Sequence, residues 1–183
     1  MQKVLFPPTI SIFGFKDSGK TMVATHVIEH FTSQNLRVLA IKHVGDPDFT
    51  LDRPGTDSHR LSQAGSTGVI LHSDTSTSLL LSHPAGNLKE LMHLGVSSSP
   101  ADIVVLEGFR AWTQDNEQIA KIICLRTQEE REELTQGLQG QLLATCSLRP
   151  DVNGVLHIPD QLSELLPQLD NWLATASPLL EHE

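Results

Sequence analysis

The chain has 183 residues and a formal net charge of −9, from 13 Lys+Arg against 22 Asp+Glu, which suits one domain with a core large enough to need no staples. An acidic surface repels other polyanions, so general binding to nucleic acid or to a membrane surface is disfavoured. No apolar run approaches spanning length and Pro7-Pro8 interrupts the N-terminal stretch, so the expectation is a soluble cytoplasmic protein in which Cys124 and Cys146 are buried, inert thiols.

The β-prone run Thr9-Ile10-Ser11-Ile12-Phe13 leads into Gly14-Phe15-Lys16-Asp17-Ser18-Gly19-Lys20-Thr21, and apolar positions at Val23, Val27, Ile28 and Phe31 follow at helical spacing. Strand, glycine loop and helix in that order are the context in which the pattern of two glycines, Lys and Thr holds a polyphosphate. The loop wraps the anion with backbone N–H groups and aims a helix N-terminus at it. Gly14, Lys16, Asp17, Ser18, Gly19, Lys20 and Thr21 are the candidate contacts. Lys20 supplies a point charge for the outer phosphates, and the Thr21 hydroxyl suits a magnesium ion. His26 and His30, one turn apart on this helix, read as a solvated face.

Arg37 to Lys42 reads as a central parallel strand ending at Lys42-His43. The following loop carries Asp46, Asp48, Asp52 and Asp57 around an Arg53-Pro54-Gly55 turn. Its place at a strand's carboxyl end predicts that it faces the ligand, where an acid could reach magnesium or orient a water. Ser58 to Ala64 reads as a short helix. Val69-Ile70-Leu71 and Leu79-Leu80-Leu81 flank a polar turn and predict an antiparallel hairpin leaving the sheet, with an edge that could pair with another chain. Asn87 starts a helix stopped by Gly95.

Ile103-Val104-Val105-Leu106 is a buried strand that delivers Glu107 to the same edge, as a magnesium-shell or water-orienting group, and Gly108 permits close approach. Lys121 to Leu125 and Leu142 to Cys146 read as further strands, Gln128 to Gln136 as a solvated acidic helix, and Gln161 to Ala174 as a helix packing Leu162, Leu165, Leu166, Leu169 and Trp172. Alternating strands and helices predict an α/β three-layer phosphate-loop fold with a mostly parallel sheet over a single domain, residues 1–183.

Taken together, Gly14 to Thr21, Ile41-Lys42-His43, Asp52 to Ser58 with Ala64-Gly65, Val105 to Arg110 and Ile119 to Ile122 resemble the MobB family over roughly Thr9 to Arg126. The Asp52 to Ser58 block is the discriminating one. The resemblance implies a GTP-binding accessory protein of molybdenum cofactor biosynthesis with weak GTPase activity, usually a homodimer. It would work beside a MobA-type nucleotidyltransferase, with molybdopterin or molybdoenzymes as further candidate partners. It also implies GTP and Mg2+ as cofactors, Lys20 and Thr21 on phosphate and metal, Asp52 and Glu107 near the metal, and Lys42, His43, Asp57, Arg110 and Lys121 bordering the site. No Asn-Lys-x-Asp guanine-reading motif is present, so GTP over ATP comes from the resemblance. A small-molecule kinase and an ATP-binding adaptor share the phosphate loop and stay open as alternatives; a kinase needs an acceptor site and an arginine-rich lid.

Overall fold

A computed structural model describes residues 5–46 and 48–180. Six parallel strands form the main sheet in the order β3-β6-β2-β7-β8-β9. They are β2 (Thr9–Gly14), β3 (Val38–Lys42), β6 (Ile103–Glu107), β7 (Ala120–Leu125), β8 (Leu142–Ser147) and β9 (Leu156–His157). β6 is continuous in Ile, Val and Leu up to Glu107, while β2 and β7 mix Ile with buried Thr9, Ser11 and Lys121; all three are buried on both faces, as a covered parallel sheet requires.

Helix α1 (Lys20–Ser33) and helix α6 (Leu166–Thr175) cover one face. There Val23, Val27, Phe31, Leu165, Leu169 and Trp172 close over Ile10, Ile12, Val105 and Ile122. Full burial of an aliphatic or aromatic side chain of this size contributes about 1.5–3 kcal/mol. The opposite face carries α3 (Leu88–Ser98), α4 (Arg110–Thr113) and α5 (Glu130–Thr135), over two further clusters centred on Leu106 with Met92 and on Phe13 with Leu134. The three-layer α/β expectation holds. Both cysteines are buried and free, and burial pushes the Cys146 thiol up to about 12 and the Cys124 thiol up as well.

The predicted hairpin forms outside the main sheet, as β4 (Gly68–His72) and β5 (Thr77–Leu81) after α2 (Asp57–Gln63), which pair with each other. Three expectations are corrected. Gly95 does not end α3: the helix runs through it to Ser98, and a Cβ at Gly95 would stand 2.9 Å from Leu39 Cδ2. The glycine lets α3 seat closely on β3. His30 is not solvated, since its side chain is 12% exposed and Nε2 lies 2.7 Å from Asp170 Oδ1 on α6. His26 Nε2 is buried without a hydrogen-bond partner. Finally, the acidic run of α5 is not wholly a surface face, because Leu134 is buried.

An antiparallel ribbon of β1 (Leu5–Phe6) and β10 (Leu179–Leu180) was not foreseen, because each strand is two residues long and carries no periodicity. Among the described residues no helix is long and apolar enough to cross a membrane.

Candidate functional site

The carboxyl edge of the sheet gathers the loop after β2, the end of β3 and the end of β6. Gly14 closes β2 under tight constraint, since a Cβ there would fall 2.1 Å from Cys124 O of the neighbouring strand. The loop then turns through Asp17 at φ 61 and Gly19 at φ 89. A Cβ at Gly19 would meet Ile158 Cδ1 at 2.6 Å. No side chain caps α1, and its first turn holds no acid. The free N–H groups and positive end of this helix therefore stay available to an anion. The Ser18 hydroxyl beside them is buried and unpartnered, and a buried polar atom without a partner is a standing cost that a ligand can relieve.

Lys20 folds back on the loop, its Nζ donating to Phe15 O at 2.5 Å. Burial holds its ammonium below the usual lysine value, against the raising influence of the nearby Cys124 and Glu107. Thr21 Oγ1 donates to Glu107 Oε1 at 2.8 Å. Lys42, level with Glu107 in the β3–β6 register, donates to Thr21 Oγ1 at 3.2 Å and pairs with Glu107 Oε1. The Glu107 side chain is 12% exposed and that of Lys42 is 53% exposed. A cationic nitrogen thus sits between the two oxygens expected around magnesium. That is where a divalent cation would find ligands of the right hardness.

The chain leaves Glu107 through Gly108 at φ 96, whose N–H donates to Ile12 O at 2.9 Å. A Cβ at Gly108 would lie 2.8 Å from His43 Cβ. Phe109, left-handed at φ 54, packs edge-on against the exposed His43 ring at 5.4 Å between centroids and tilts against Trp112 at 5.5 Å. Left-handed backbone at a non-glycine residue is uncommon. Sequence reading missed this aromatic contact, because the rings come from two elements joined only by the register of β3 and β6.

Lys16 and Asp17 stand on the loop, exposed. Several other expected members make their contacts elsewhere. Arg110 turns to α5, with Nε donating to Gln114 Oε1 at 3.0 Å and Nη2 to Glu133 O. Asp57 is solvated beside Arg60 at the start of α2. Asp52 is held by its own block rather than by Thr21 and Glu107, since Oδ1 accepts the Ser58 hydroxyl at 2.6 Å and the Thr56 hydroxyl at 3.1 Å.

Lys121 is the clearest correction. It is level with Ser11, whereas the loop begins at Gly14, level with Cys124. Three residues of strand put it about 10 Å back, toward the amino edge. There Nζ donates to Asn116 O and Gln139 O, the side chain is fully buried, and burial pushes its ammonium down to about 8. It ties two loops together and does not border the phosphate corner.

A sequence profile described as "Molybdopterin guanine dinucleotide synthesis protein B", MobB, matches residues 9–147. A molybdopterin-guanine dinucleotide biosynthesis adapter protein from Haemophilus influenzae is 28% identical over 167 residues, 91% of this chain and 89% of that protein. The Escherichia coli adapter protein is 29% identical over 121 residues, 65% of this chain and 66% of its own. The crystal structure of Bacillus subtilis MobB superposes with a TM-score of 0.64 at 21% identity, covering 88% of this chain and 97% of the other, and so shares the fold. With the profile spanning most of the sheet, the loop and the Asp52 block, this chain belongs to the MobB family of molybdopterin-guanine dinucleotide biosynthesis adapter proteins.

Proposed function

We propose that this chain is a magnesium-dependent GTP-binding adapter that assists a MobA-type nucleotidyltransferase in making the guanine dinucleotide form of the molybdenum cofactor, and that it hydrolyses GTP slowly. The observation that carries the reading is the convergence of Lys20, Thr21, Lys42 and Glu107 at the uncapped start of α1. Lys20 and the loop amides would hold the phosphates. Thr21 and Glu107 would hold the metal, which neutralises phosphate charge when bound, and Glu107 would orient water. The buried, unpartnered Ser18 hydroxyl fits an anion in the loop.

The kinase reading loses ground. A closing lid would draw on arginines, but Arg110, Arg126 and Arg131 are engaged with Glu133, Glu130 and Asn153 O respectively. Homodimerisation is supported by free strand edges among the described residues: β3 is an edge strand of the main sheet, and β4 and β5 pair only with each other. Free, buried cysteines accord with a reducing cytoplasm.

The test is an equilibrium titration of GTP against ATP, with and without Mg2+, on the wild type and on Lys20→Ala. Expected are at least about a tenfold preference for GTP and a loss of at least about thirtyfold in the variant, near 2 kcal/mol. Unchanged affinity in a folded Lys20→Ala protein would refute the assignment of the loop.

A further inference from the structure

The Asp52 block builds a second cavity, apart from the phosphate corner. Its volume is about 610 Å³, and its walls include Phe49, Leu51, Asp52, His59, Leu79 and Leu81. None of Lys20, Thr21, Lys42 and Glu107 lines it. The size falls in the range of cofactor and small-molecule sites. Phe49, Leu51, Leu79 and Leu81 are 52%, 73%, 44% and 49% exposed, so apolar surface stands open on two sides of the cleft.

The polar centre of that cleft is asymmetric. Asp52 is only 16% exposed, and its Oδ1 is occupied by the Ser58 and Thr56 hydroxyls. Oδ2 lies 3.8 Å from His59 Nδ1, beyond hydrogen-bond distance. One carboxylate oxygen is therefore anchored while the other keeps acceptor capacity. A metal is not the matching ligand: among the described residues no group of three or more His, Cys, Asp and Glu side chains could hold one. What matches is a flat apolar ring with adjacent N–H donors on one edge, because a carboxylate takes such donors in strong charge-assisted bonds while the ring lies against apolar walls.

We infer that this cavity binds a fused heterocycle through its 2-amino-4-oxopyrimidine edge, with Asp52 Oδ2 accepting from the 2-amino group and with the hairpin leucines packing on the ring. The inference rests on the adapter reading above: both halves of a molybdopterin-guanine dinucleotide, the pterin and the guanine, carry that edge. Asp52 would then serve recognition of the ring, and not the metal at Glu107.

The test uses the full chain and three probes without phosphate: pterin, followed by its own fluorescence, guanosine as competitor, and lumazine, which has an oxo group in place of the 2-amino group. Saturable pterin binding is expected, with lumazine at least about tenfold weaker, as loss of a bond to a charged acceptor requires. Asp52→Asn keeps an oxygen for Ser58 and Thr56 and turns the other acceptor into a donor, so it should weaken pterin at least about tenfold, while Lys20→Ala changes it less than about twofold. Leu81→Arg, at an exposed position, offers a second variant that fills the cleft and should have the same effect.

Guanosine binding that shows these dependences without pterin binding supports the same edge with guanine as its source. No saturable binding of either probe to folded protein, or binding undiminished in both cleft variants, overturns the inference. Magnesium-dependent binding of inorganic tripolyphosphate, which carries no ring, reports the loop separately on the same samples: it should survive Asp52→Asn whichever ring fills the cleft, so failure here and failure of the adapter reading are distinguishable.

Discussion

The two edges of the sheet use lysine in opposite ways. At the carboxyl edge Lys20 and Lys42 are each held by few partners, a single carbonyl for the first, a hydroxyl and a carboxylate for the second, and Lys42 is half exposed. At the amino edge Lys121 is fully buried, with two main-chain carbonyls on its ammonium. A Cβ at the neighbouring Gly140 would sit 2.9 Å from that nitrogen and 2.7 Å from Glu117 O, so the chain itself is moulded around the charge. A cation poised for a ligand and a cation consumed by the fold differ in how many backbone acceptors surround them, and residue type does not reveal which is which.

The contrast can be broken most sharply at Lys121. Lys121→Met takes the ammonium donor from Gln139 O and leaves Asn116 O only the 3.4 Å bond from Ile119 N–H, at about 1–3 kcal/mol for each acceptor that loses its bond. Urea denaturation should show a loss of about 2–4 kcal/mol, while Mg-GTP affinity of the folded protein moves less than about twofold. An equal loss of nucleotide affinity would return Lys121 to the phosphate corner.

The pH dependence sharpens the same point. Burial pushes the Lys121 ammonium down to about 8 in the folded protein, from the ordinary lysine value of 10.5. Between those values the unfolded chain binds more protons, so this residue's contribution makes stability rise with pH through the window; below about 8 its burial penalty is felt in full. The stability difference between wild type and Lys121→Met should therefore widen from pH 8 to 10.5, and a constant difference would refute the depressed titration.

The smallest effect is expected at Lys42. Its ammonium competes for Thr21 and Glu107, so Lys42→Met should lower the Mg2+ concentration for half-maximal GTP binding about threefold, near 0.7 kcal/mol. A raised Mg2+ requirement would instead make Lys42 a phosphate ligand.

What sequence reading captured and missed follows from the range of the forces involved. The phosphate loop is legible because its demands are local: a glycine where Cys124 O crowds the chain, another at φ 89, and a helix starting without a cap. The place of Glu107 at the carboxyl edge is legible because the four apolar residues before it mark a buried strand that ends there. Lys121 was misplaced for the converse reason. It belongs to a motif of the right composition, but which end of a strand a side chain serves depends on register and on partners such as Gln139. The hairpin was legible as a hairpin, since the two apolar runs flanking its polar turn say what pairs within it.

The segment after Glu107 is fastened at both ends to one strand. Gly108 N–H donates to Ile12 O, and the buried hydroxyls of Thr113 and Ser11 meet at 2.8 Å. Both anchors stand on β2, the strand that carries the phosphate loop, so this segment travels with the loop as one body. An occupancy signal cannot be broadcast by its swinging free. The stretch after β3 is fastened differently: residues 43–46 and 48–56 are exposed apart from Asp52, and Asp52 is held by Thr56 and Ser58 of its own block.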